Sequence, residues 1–180
     1  MENVTGLKCN TEDMDYVLEI KFIIIYTVFN MEINGKEAYF IAIKALIRKG
    51  DEILITHDIW NQWDLPGGRI KKDEFRKEFQ DVLRRKISEE LGDKVKYEIS
   101  KYPKAFFRVQ RTEFLEQGGT MNVRIFGIGY EVEYLGGDII LGPHHDKIEW
   151  VNINKFDPYL YFKGGWEEGL FEYIKACKEL

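Results

Sequence analysis

The chain has 180 residues, of which 44% are hydrophobic and 32% are charged, and its 31 acidic and 26 basic residues give a net charge of −5. This composition excludes a disordered or collagen-like chain. It also argues against a non-specific nucleic-acid binder, which needs a basic face. The length fits one ordinary domain, so we predict a single domain over residues 1–180.

Cysteine usage and hydropathy indicate the compartment. Cys9 and Cys177 lie near opposite ends of the chain, which disfavours a disulfide framework and favours a reduced, cytoplasmic setting. Residues 1–17 form a polar leader without the pattern of a signal peptide. The longest apolar run, residues 22–29, is far too short to span a bilayer, so we expect no membrane association.

The first part of the chain predicts three strands, in regions enriched in β-branched and aromatic residues. Asn34-Gly35 predicts a hairpin between the first two strands, because both residue types tolerate positive φ. A loop that contains Trp60 and Trp63 follows the third strand. The predicted strands cover residues 18–29, 38–47 and 52–56.

A long helix is predicted over residues 74–91, and Gly92 ends it. Apolar residues recur every three or four positions and form one face of this helix. They are Phe75, Phe79, Val82, Leu83, Ile87 and Leu91. At about 100° per residue, Glu90 projects from near the middle of this face, Lys86 lies close beside it and Glu89 lies at the edge. Because an unpaired buried carboxylate is costly, such a group is normally paired, protonated or bound to a metal.

An ordinary structural explanation also exists for these charges. Lys86 and Glu90 are four residues apart, so they can form a salt bridge at a helix end that has left the core. Glutamate N-terminal to lysine is the better orientation, and such a pair contributes only about 0.2–0.5 kcal/mol. Both explanations fit the helix alone, whereas the glycine pair that precedes the helix favours a functional site.

The rest of the chain predicts further strands and a second helix. The turn at Gly136-Gly137-Asp138 predicts a hairpin. The helix is predicted over residues 164–180, where apolar residues recur at helical spacing. The additional strands are predicted at residues 94–99, 105–109, 123–134 and 148–153. Strands around one central helix, with a second helix at the end, indicate an α+β fold.

The glycine pair and the charged helix together resemble the Nudix box. The pattern of that family is G-x5-E-x7-R-E-U-x-E-E-x-G-U, where U is a bulky apolar residue. Gly68 and Glu74 match its opening spacing. The closing half is matched by Arg85, Ile87, Glu89, Glu90 and Gly92. The resemblance extends over residues 39–153, with the box at 65–92 as its specific part.

This resemblance implies a fold and a reaction. The fold is an α/β/α sandwich around a mixed sheet, with a strand–loop–helix–loop catalytic motif. The reaction is the hydrolysis of a nucleoside diphosphate linked to another moiety, X, with Mg²⁺ or Mn²⁺ as cofactor. Glu90 would be a primary metal ligand, and Glu89 a second ligand or the base that orients water. Gly67 and Gly68 would let the backbone turn tightly beside the helix.

Other residues of the box have structural roles by the same resemblance. Glu74 and Arg85 would form the ion pair that fixes the loop, and Gly92 would end the helix. The sequence departs from the family pattern here, because ten residues instead of seven separate Glu74 from Arg85. The loop or the first helical turn can hold that insertion.

Lys86 is the more serious departure, because it replaces the first glutamate of the family's helix. That position normally supplies a metal ligand, and an ammonium group does not coordinate metal while it is protonated. Lys86 either replaces the charge of one metal ion and contacts phosphate directly, or neutralises Glu90 and abolishes hydrolysis while nucleotide binding persists. The sequence does not decide between the two. Substitution by Glu78 as ligand is disfavoured, because Glu78 projects from the opposite side of the helix.

Related enzymes often carry a further glutamate ligand on a late loop. Counting back from Trp150, that position falls at His144, which can act as a base or a metal ligand when neutral. The alternative is that His144 and His145 are ordinary exposed loop residues. Glu113 and Glu116 are other candidates for the missing carboxylate, unless they belong to a solvated loop.

The sequence therefore predicts a Nudix-type pyrophosphohydrolase with an altered metal site, in which Lys86 lies beside the phosphates of a nucleotide or nucleotide-sugar substrate. The alternative is a catalytically impaired Nudix-fold domain that binds a nucleotide or a protein. Trp60 and Trp63 could stack on a base, although core packing explains such residues more often. A homodimer through the N-terminal strand or the C-terminal helix is compatible with the sequence.

Overall fold

The computed structural model describes residues 36–115 and 118–179. Contacts divide the chain into two units, Met1–Ala38 and Tyr39–Leu180, and the architecture below is that of the second unit. The single domain over residues 1–180 stays a prediction. The predicted leader, the strand at 18–29 and the hairpin turn at 34–35 lie outside the described residues.

Within the described residues, eight strands form one mixed sheet. The central strand, Phe40–Lys49, runs parallel to the longest strand, Thr120–Gly136. Their register runs from Phe40 opposite Ile125 to Arg48 opposite Glu133. The central strand also pairs antiparallel with the second and fourth strands. The strands are β1 (Phe40–Lys49), β2 (Glu52–Asp58), β3 (Trp63–Asp64), β4 (Gly67–Arg69), β5 (Lys96–Ile99), β6 (Ala105–Phe114), β7 (Thr120–Gly136) and β8 (His145–Asn152).

Two helices cover the two faces of the sheet, α1 (Phe79–Leu91) and α2 (Trp166–Lys178). Because side chains alternate along a strand, β1 contributes to a core on each face. Ala42 and Leu46 pack in the core that includes α2. The core that includes α1 contains Ile43, Ala45, Ile47, Leu54, Val82, Leu83, Ile87, Leu91, Val95, Tyr130 and Val132. This arrangement confirms the predicted α/β/α sandwich around a mixed sheet.

The central helix is shorter than predicted. A 3₁₀ turn occupies Lys72–Glu74, residues 75–78 form a non-helical connection, and α1 begins at Phe79. The prediction of a helix from residue 74 is therefore wrong for this first turn, and Phe75 is 85% exposed instead of lying on the apolar face. Glu78 has extended backbone angles, φ −60° and ψ 141°, which place it before the helix as its N-cap.

The predicted hairpin at residues 136–138 is also wrong. Strand β7 ends at Gly136, but the next strand, β8, pairs antiparallel with β2 instead of folding back on β7. A second 3₁₀ turn at Pro158–Leu160 precedes α2. The described part of the chain contains no helix that is long and apolar enough to cross a membrane.

Candidate active site

The site is built around the turn at Gly67, where β4 runs beside β1. Gly67 has φ +133°, and a Cβ atom on it would lie 2.2 Å from the carbonyl oxygen of Ile43. Only glycine fits this position without moving the backbone. The N–H of Gly67 donates a hydrogen bond of 2.9 Å to Glu90 Oε2. The turn thus links the start of the box to the end of α1.

A buried lysine holds the chain that leads into this turn. Lys44 is 3% exposed, and its Nζ donates to both carboxylate oxygens of Asp64 at 2.8 and 2.7 Å and to the carbonyl oxygen of Leu65 at 3.0 Å. The N–H of Ala45 donates to the carbonyl oxygen of Pro66 at 2.7 Å. Sequence reasoning missed Lys44, although a lysine in the middle of an apolar strand is a signal that could have found it.

Glu74 and Arg85 form a buried ion pair. Arg85 Nε and Nη2 donate to the two oxygens of Glu74 at 2.5 and 2.7 Å, and the N–H of Lys71 donates to Oε2 at 3.0 Å. The Glu74 side chain is 1% exposed. The hydrogen bonds from Arg85 lower the pKa of Glu74 to about 2. Both carboxylate oxygens of Glu74 therefore accept hydrogen bonds, and these link the 3₁₀ turn to α1.

Lys86 lies between the two glutamates predicted to be catalytic. Its Nζ is 3.3 Å from Glu89 Oε2 and 3.8 Å from Glu90 Oε1. Glu89 also accepts hydrogen bonds of 2.9 and 2.8 Å from Arg85 Nη1. The side chain of Lys86 passes over Gly68, where an added Cβ would lie 2.8 Å from Lys86 Cε. Glycine at position 68 thus leaves room for the lysine.

Glu90 is the most perturbed carboxylate of the site. Its side chain is 12% exposed, and burial raises its pKa to about 7 although nearby Lys44 favours the ionised form. Glu90 differs from Glu74 in that its neighbouring ammonium group stays beyond hydrogen-bonding distance. A carboxylate held in this way is ready to take a cation or a proton.

The histidine that faces Glu90 is His145, and not the predicted His144. His145 Nε2 lies 3.9 Å from Glu90 Oε2, and His145 Nδ1 is buried without a hydrogen-bond partner among the described residues. Burial lowers the pKa of His145 and favours its neutral form. His144 stacks on the indole of Trp60 instead. The sequence could not separate the two neighbours, because the loop alignment allows either one.

The remaining predicted carboxylates do not join this cluster. Glu113 is paired with Arg111 and with Arg69, which lowers its pKa despite partial burial. Glu116 lies outside the described residues.

A cavity of about 890 Å³ brings these groups together. The predicted residues that line it are Trp60, Gly67, Gly68, Lys86, Glu89, Glu90, Glu113 and His144, whereas Glu74, Arg85 and Gly92 are not part of its lining. Lining residues that sequence reasoning missed include Lys44, Asp64, Arg69, Arg111 and His145. The glycine pair and the charged helix in the sequence predicted the residues at the floor of the cavity. The other lining residues come from strands that are distant in sequence, and only the pairing of those strands brings them together.

Glu89 and Glu90 are oxygen donors of the kind that bind a divalent ion together with other ligands. Among the residues the structure describes, no group of three or more His, Cys, Asp or Glu side chains is arranged to hold a metal ion. Mg²⁺ is commonly bound by one or two carboxylates together with water and substrate phosphates. Glu89 and Glu90 supply two carboxylates, and Lys86 Nζ lies within 4 Å of both.

Comparison with known proteins agrees with the fold. A family model described as NUDIX domain matches residues 38–171. Similar structures include an ADP-ribose pyrophosphatase from Streptococcus suis 89-1591, with 16% identity, a TM-score of 0.54, and coverage of 78% of this chain and 92% of that chain. A MutT protein from Methanosarcina mazei Go1 has 20% identity, a TM-score of 0.55, and coverage of 80% and 96%.

A third similar structure is a bifunctional NMN adenylyltransferase/ADP-ribose pyrophosphatase from Francisella tularensis in complex with AMP and a manganese ion. It has 15% identity and a TM-score of 0.51, and the match covers 93% of this chain and 50% of that chain. No curated protein matches the sequence at a significant level. At these identities the structural matches establish the fold alone.

Proposed function

The chain belongs to the Nudix family, and from this premise we propose that it hydrolyses the pyrophosphate of a nucleoside diphosphate linked to another moiety, X, with Mg²⁺ or Mn²⁺. The observation that carries the proposal is the cluster of Glu89, Lys86 and Glu90 beside the Gly67 turn, at the floor of a cavity large enough for a nucleotide. The pyrophosphatase named among the similar structures fits this substrate class.

The residues of the site have separate tasks in this reaction. Glu90 would hold the ion, with Glu89 as a second ligand or as the base that orients water, and the ion would neutralise charge on the pyrophosphate and help to activate water. Lys86 would donate hydrogen bonds to phosphate oxygens and offset their charge. Gly67 orients Glu90 through its N–H. Water adds to one phosphorus, the P–O bond of the bridging oxygen breaks, and the proton of the water passes to a carboxylate, with Glu89 as the predicted base.

A second candidate function rests on Lys86 itself. Its ammonium group lies within 4 Å of both carboxylates, so it can neutralise them and leave a protein that binds nucleotides without hydrolysing them. In either case we propose a nucleotide or nucleotide-sugar ligand, and neither nucleic acid nor a membrane as partner. The low cysteine content favours a reduced, cytoplasmic setting.

Hydrolysis measured with Mg²⁺ or Mn²⁺ tests both candidates. The panel contains nucleoside triphosphates, sugar nucleotides, ADP-ribose and dinucleoside polyphosphates, and the native protein is compared with Glu90→Gln and Lys86→Glu. Glu172→Gln and Lys175→Glu, on the exposed side of α2, are the matched controls. Native turnover that Glu90→Gln abolishes supports the hydrolase.

The opposite pattern would favour the second candidate. If the native protein binds a nucleotide but shows no turnover, and Lys86→Glu gains turnover, Lys86 has disabled an ancestral hydrolase site. Turnover that persists unchanged in Glu90→Gln would contradict the proposed role of this carboxylate.

A further inference from the structure

An exposed tryptophan is held in a fixed position at the rim of the cavity. Trp60 is 64% exposed and lies in the loop between β2 and β3. Asp58 Oδ1 accepts hydrogen bonds from the N–H groups of Trp60 and Gln62 at 3.0 and 2.9 Å. Asn61 completes the tight loop with φ +64°. The loop therefore presents a large apolar ring to solvent in a defined orientation.

A second ring extends the apolar surface of Trp60. The imidazole of His144 stacks on its indole with 5.6 Å between ring centroids and an angle of 20° between the planes. The N–H of Ile59 donates to the carbonyl oxygen of His144 at 3.2 Å, which ties the two loops together. Trp60 and His144 both line the cavity whose floor carries Lys86 and Glu90. We call these two stacked rings the aromatic wall.

The other tryptophan of the loop has a different environment. Trp63 makes edge contacts with His57 and Tyr161, with ring centroids 5.0 and 5.6 Å apart, and Lys147 Nζ lies 5.0 Å from its ring centroid. Trp63 is thus used in packing. Exposed aromatic surface beside a polar cavity indicates a ligand site, and of these two residues Trp60 is the one that provides it.

We propose that the aromatic wall stacks on the nucleobase of the substrate while its phosphates lie at Lys86 and Glu90. This inference rests on the proposed function and names the part of the ligand that the wall recognises. A purine offers the larger stacking area, so purine nucleotides are the preferred class. The proposal assigns His144 to base stacking in place of the metal-ligand role predicted from the sequence.

Phe114 is the competing candidate, because it is 88% exposed and lines the same cavity. Its ring is almost entirely open to solvent, whereas Trp60 is backed by a second ring and fixed by backbone hydrogen bonds. A preorganised ring loses less conformational entropy when a base stacks on it, and this favours Trp60.

Binding of ligands that the site cannot cleave tests the proposal. AMP and α,β-methylene-ADP carry the base but no cleavable anhydride, and ribose 5-phosphate lacks the base. Their Kd values are measured by calorimetry in the presence of Mg²⁺, together with tryptophan fluorescence, for the native protein and for Trp60→Ala, Trp60→Phe, His144→Ala and Phe114→Ala. Thermal unfolding checks that each variant is folded.

Stacking predicts a specific pattern. Trp60→Ala raises the Kd of AMP about 5-fold to 150-fold, because base–aromatic stacking is worth about 1–3 kcal/mol. Trp60→Phe keeps the affinity within a few-fold but loses most of the fluorescence change, since the reporter ring is gone. His144→Ala raises the Kd less than Trp60→Ala does. Ribose 5-phosphate binds to every variant as it binds to the native protein.

Three results would overturn the inference. If Trp60→Ala binds AMP as the native protein does while Phe114→Ala loses affinity, the base lies against Phe114, and the proposed function stands without the aromatic wall. If Trp60→Ala weakens ribose 5-phosphate equally, the effect does not come from the base. If the native protein hydrolyses a substrate of the panel but binds neither AMP nor α,β-methylene-ADP, the inference fails and the proposed function stands.

Discussion

Glu74 and Glu90 are glutamates of the same sequence motif, and their surroundings differ sharply. Glu74 accepts two hydrogen bonds from Arg85 and one from the backbone, and these interactions hold its pKa at about 2. Glu90 accepts one backbone hydrogen bond, the Lys86 ammonium stays 3.8 Å away, and burial raises its pKa to about 7. Both side chains are buried, but Glu74 accepts hydrogen bonds from more donor groups than Glu90 does.

This difference separates a structural carboxylate from a functional one. The charge of Glu74 is fully compensated, so the residue stabilises the fold and has no capacity left for a ligand. Burial raises the free energy of the ionised form of Glu90, and the neighbouring groups offset this increase only in part. Such perturbed groups are typical of functional sites. Substitutions at these two glutamates and beside them test this difference.

The largest effect is expected on stability, from Glu74→Gln. Loss of Glu74 breaks a buried ion pair and leaves Arg85 paired with Glu89, so it costs roughly 3 kcal/mol, the lower end of the usual range, because Arg85 is partly exposed and keeps this second partner. The free energy of unfolding from urea denaturation measures this loss. In a double-mutant cycle with Arg85→Gln, the two losses should be clearly non-additive.

The acid range provides a second check on this pair. The pKa of Glu74 is about 2 in the folded chain, below its ordinary value of 4.5, so its stabilisation is complete above about pH 4.5 and disappears as the pH falls to about 2. The difference in stability between the native protein and Glu74→Gln should therefore shrink over that interval. A difference that stays constant from pH 6 to pH 3 would be incompatible with the assigned pairing.

Turnover is expected to respond most to Glu90→Gln. Its kcat should fall on the order of 100-fold or more, because even partners that only orient a metal ligand contribute up to about that factor. Initial rates with saturating Mg²⁺ and the best substrate of the panel measure the loss, with Glu172→Gln as control. A kcat within threefold of the native value would place the essential carboxylate elsewhere.

Sequence periodicity predicted the central helix of the fold and the unusual place of Glu90, because both depend on local spacing. Val82, Leu83 and Ile87 are buried as the apolar face requires. Phe75 is exposed because residues 75–78 form a non-helical connection before α1, without a recognisable breaker residue. Helical periodicity extrapolates through such a segment and overestimates the length of the helix.

Long-range pairing explains what the sequence did not reveal about the site. Strand β8 pairs with β2, from Glu52 opposite Asn152 to Asp58 opposite His145, and this register brings the late histidines to the cavity. The contact between Lys44, on β1, and Asp64, on β3, depends in the same way on β3 lying against β2. Neither pairing has a local signature, so the position of His145 beside Glu90 and the contact of Lys44 with Asp64 could be assigned only from the tertiary structure.

The stability of Glu90→Gln should change in the direction opposite to that of Glu74→Gln. The unfolded chain releases the proton of Glu90 near pH 4.5, whereas the folded chain retains it to about pH 7, so ionisation disfavours the folded state above pH 4.5. Glu90→Gln removes this cost and should stabilise the protein by up to about 3 kcal/mol at pH 8, and hardly at all at pH 4. Urea denaturation with a metal chelator present measures both values.

Equal stability of Glu90→Gln and the native protein at pH 8 would mean that Lys86 and the Gly67 N–H already compensate the charge. Glu90 would then resemble Glu74, and the contrast between the two carboxylates would disappear. Glu172→Gln, which removes an exposed charge, controls for the change in net charge.

The smallest effect is expected from Gly68→Ala, which changes only the place of the cation beside Glu90. The new Cβ would lie 2.8 Å from Lys86 Cε, and a flexible side chain can move away, so the stability should change by less than about 1 kcal/mol. The displaced ammonium should lower kcat/KM several-fold if Lys86 contacts phosphate, and should raise it if Lys86 only neutralises the carboxylates.

Gly67→Ala is the contrasting control, because its Cβ would meet the backbone oxygen of Ile43 at 2.2 Å and should destabilise the fold itself. An unchanged kcat/KM in folded Gly68→Ala would show that the position of the cation next to Glu90 has no part in turnover, and the contrast with Glu74 would then rest on burial alone.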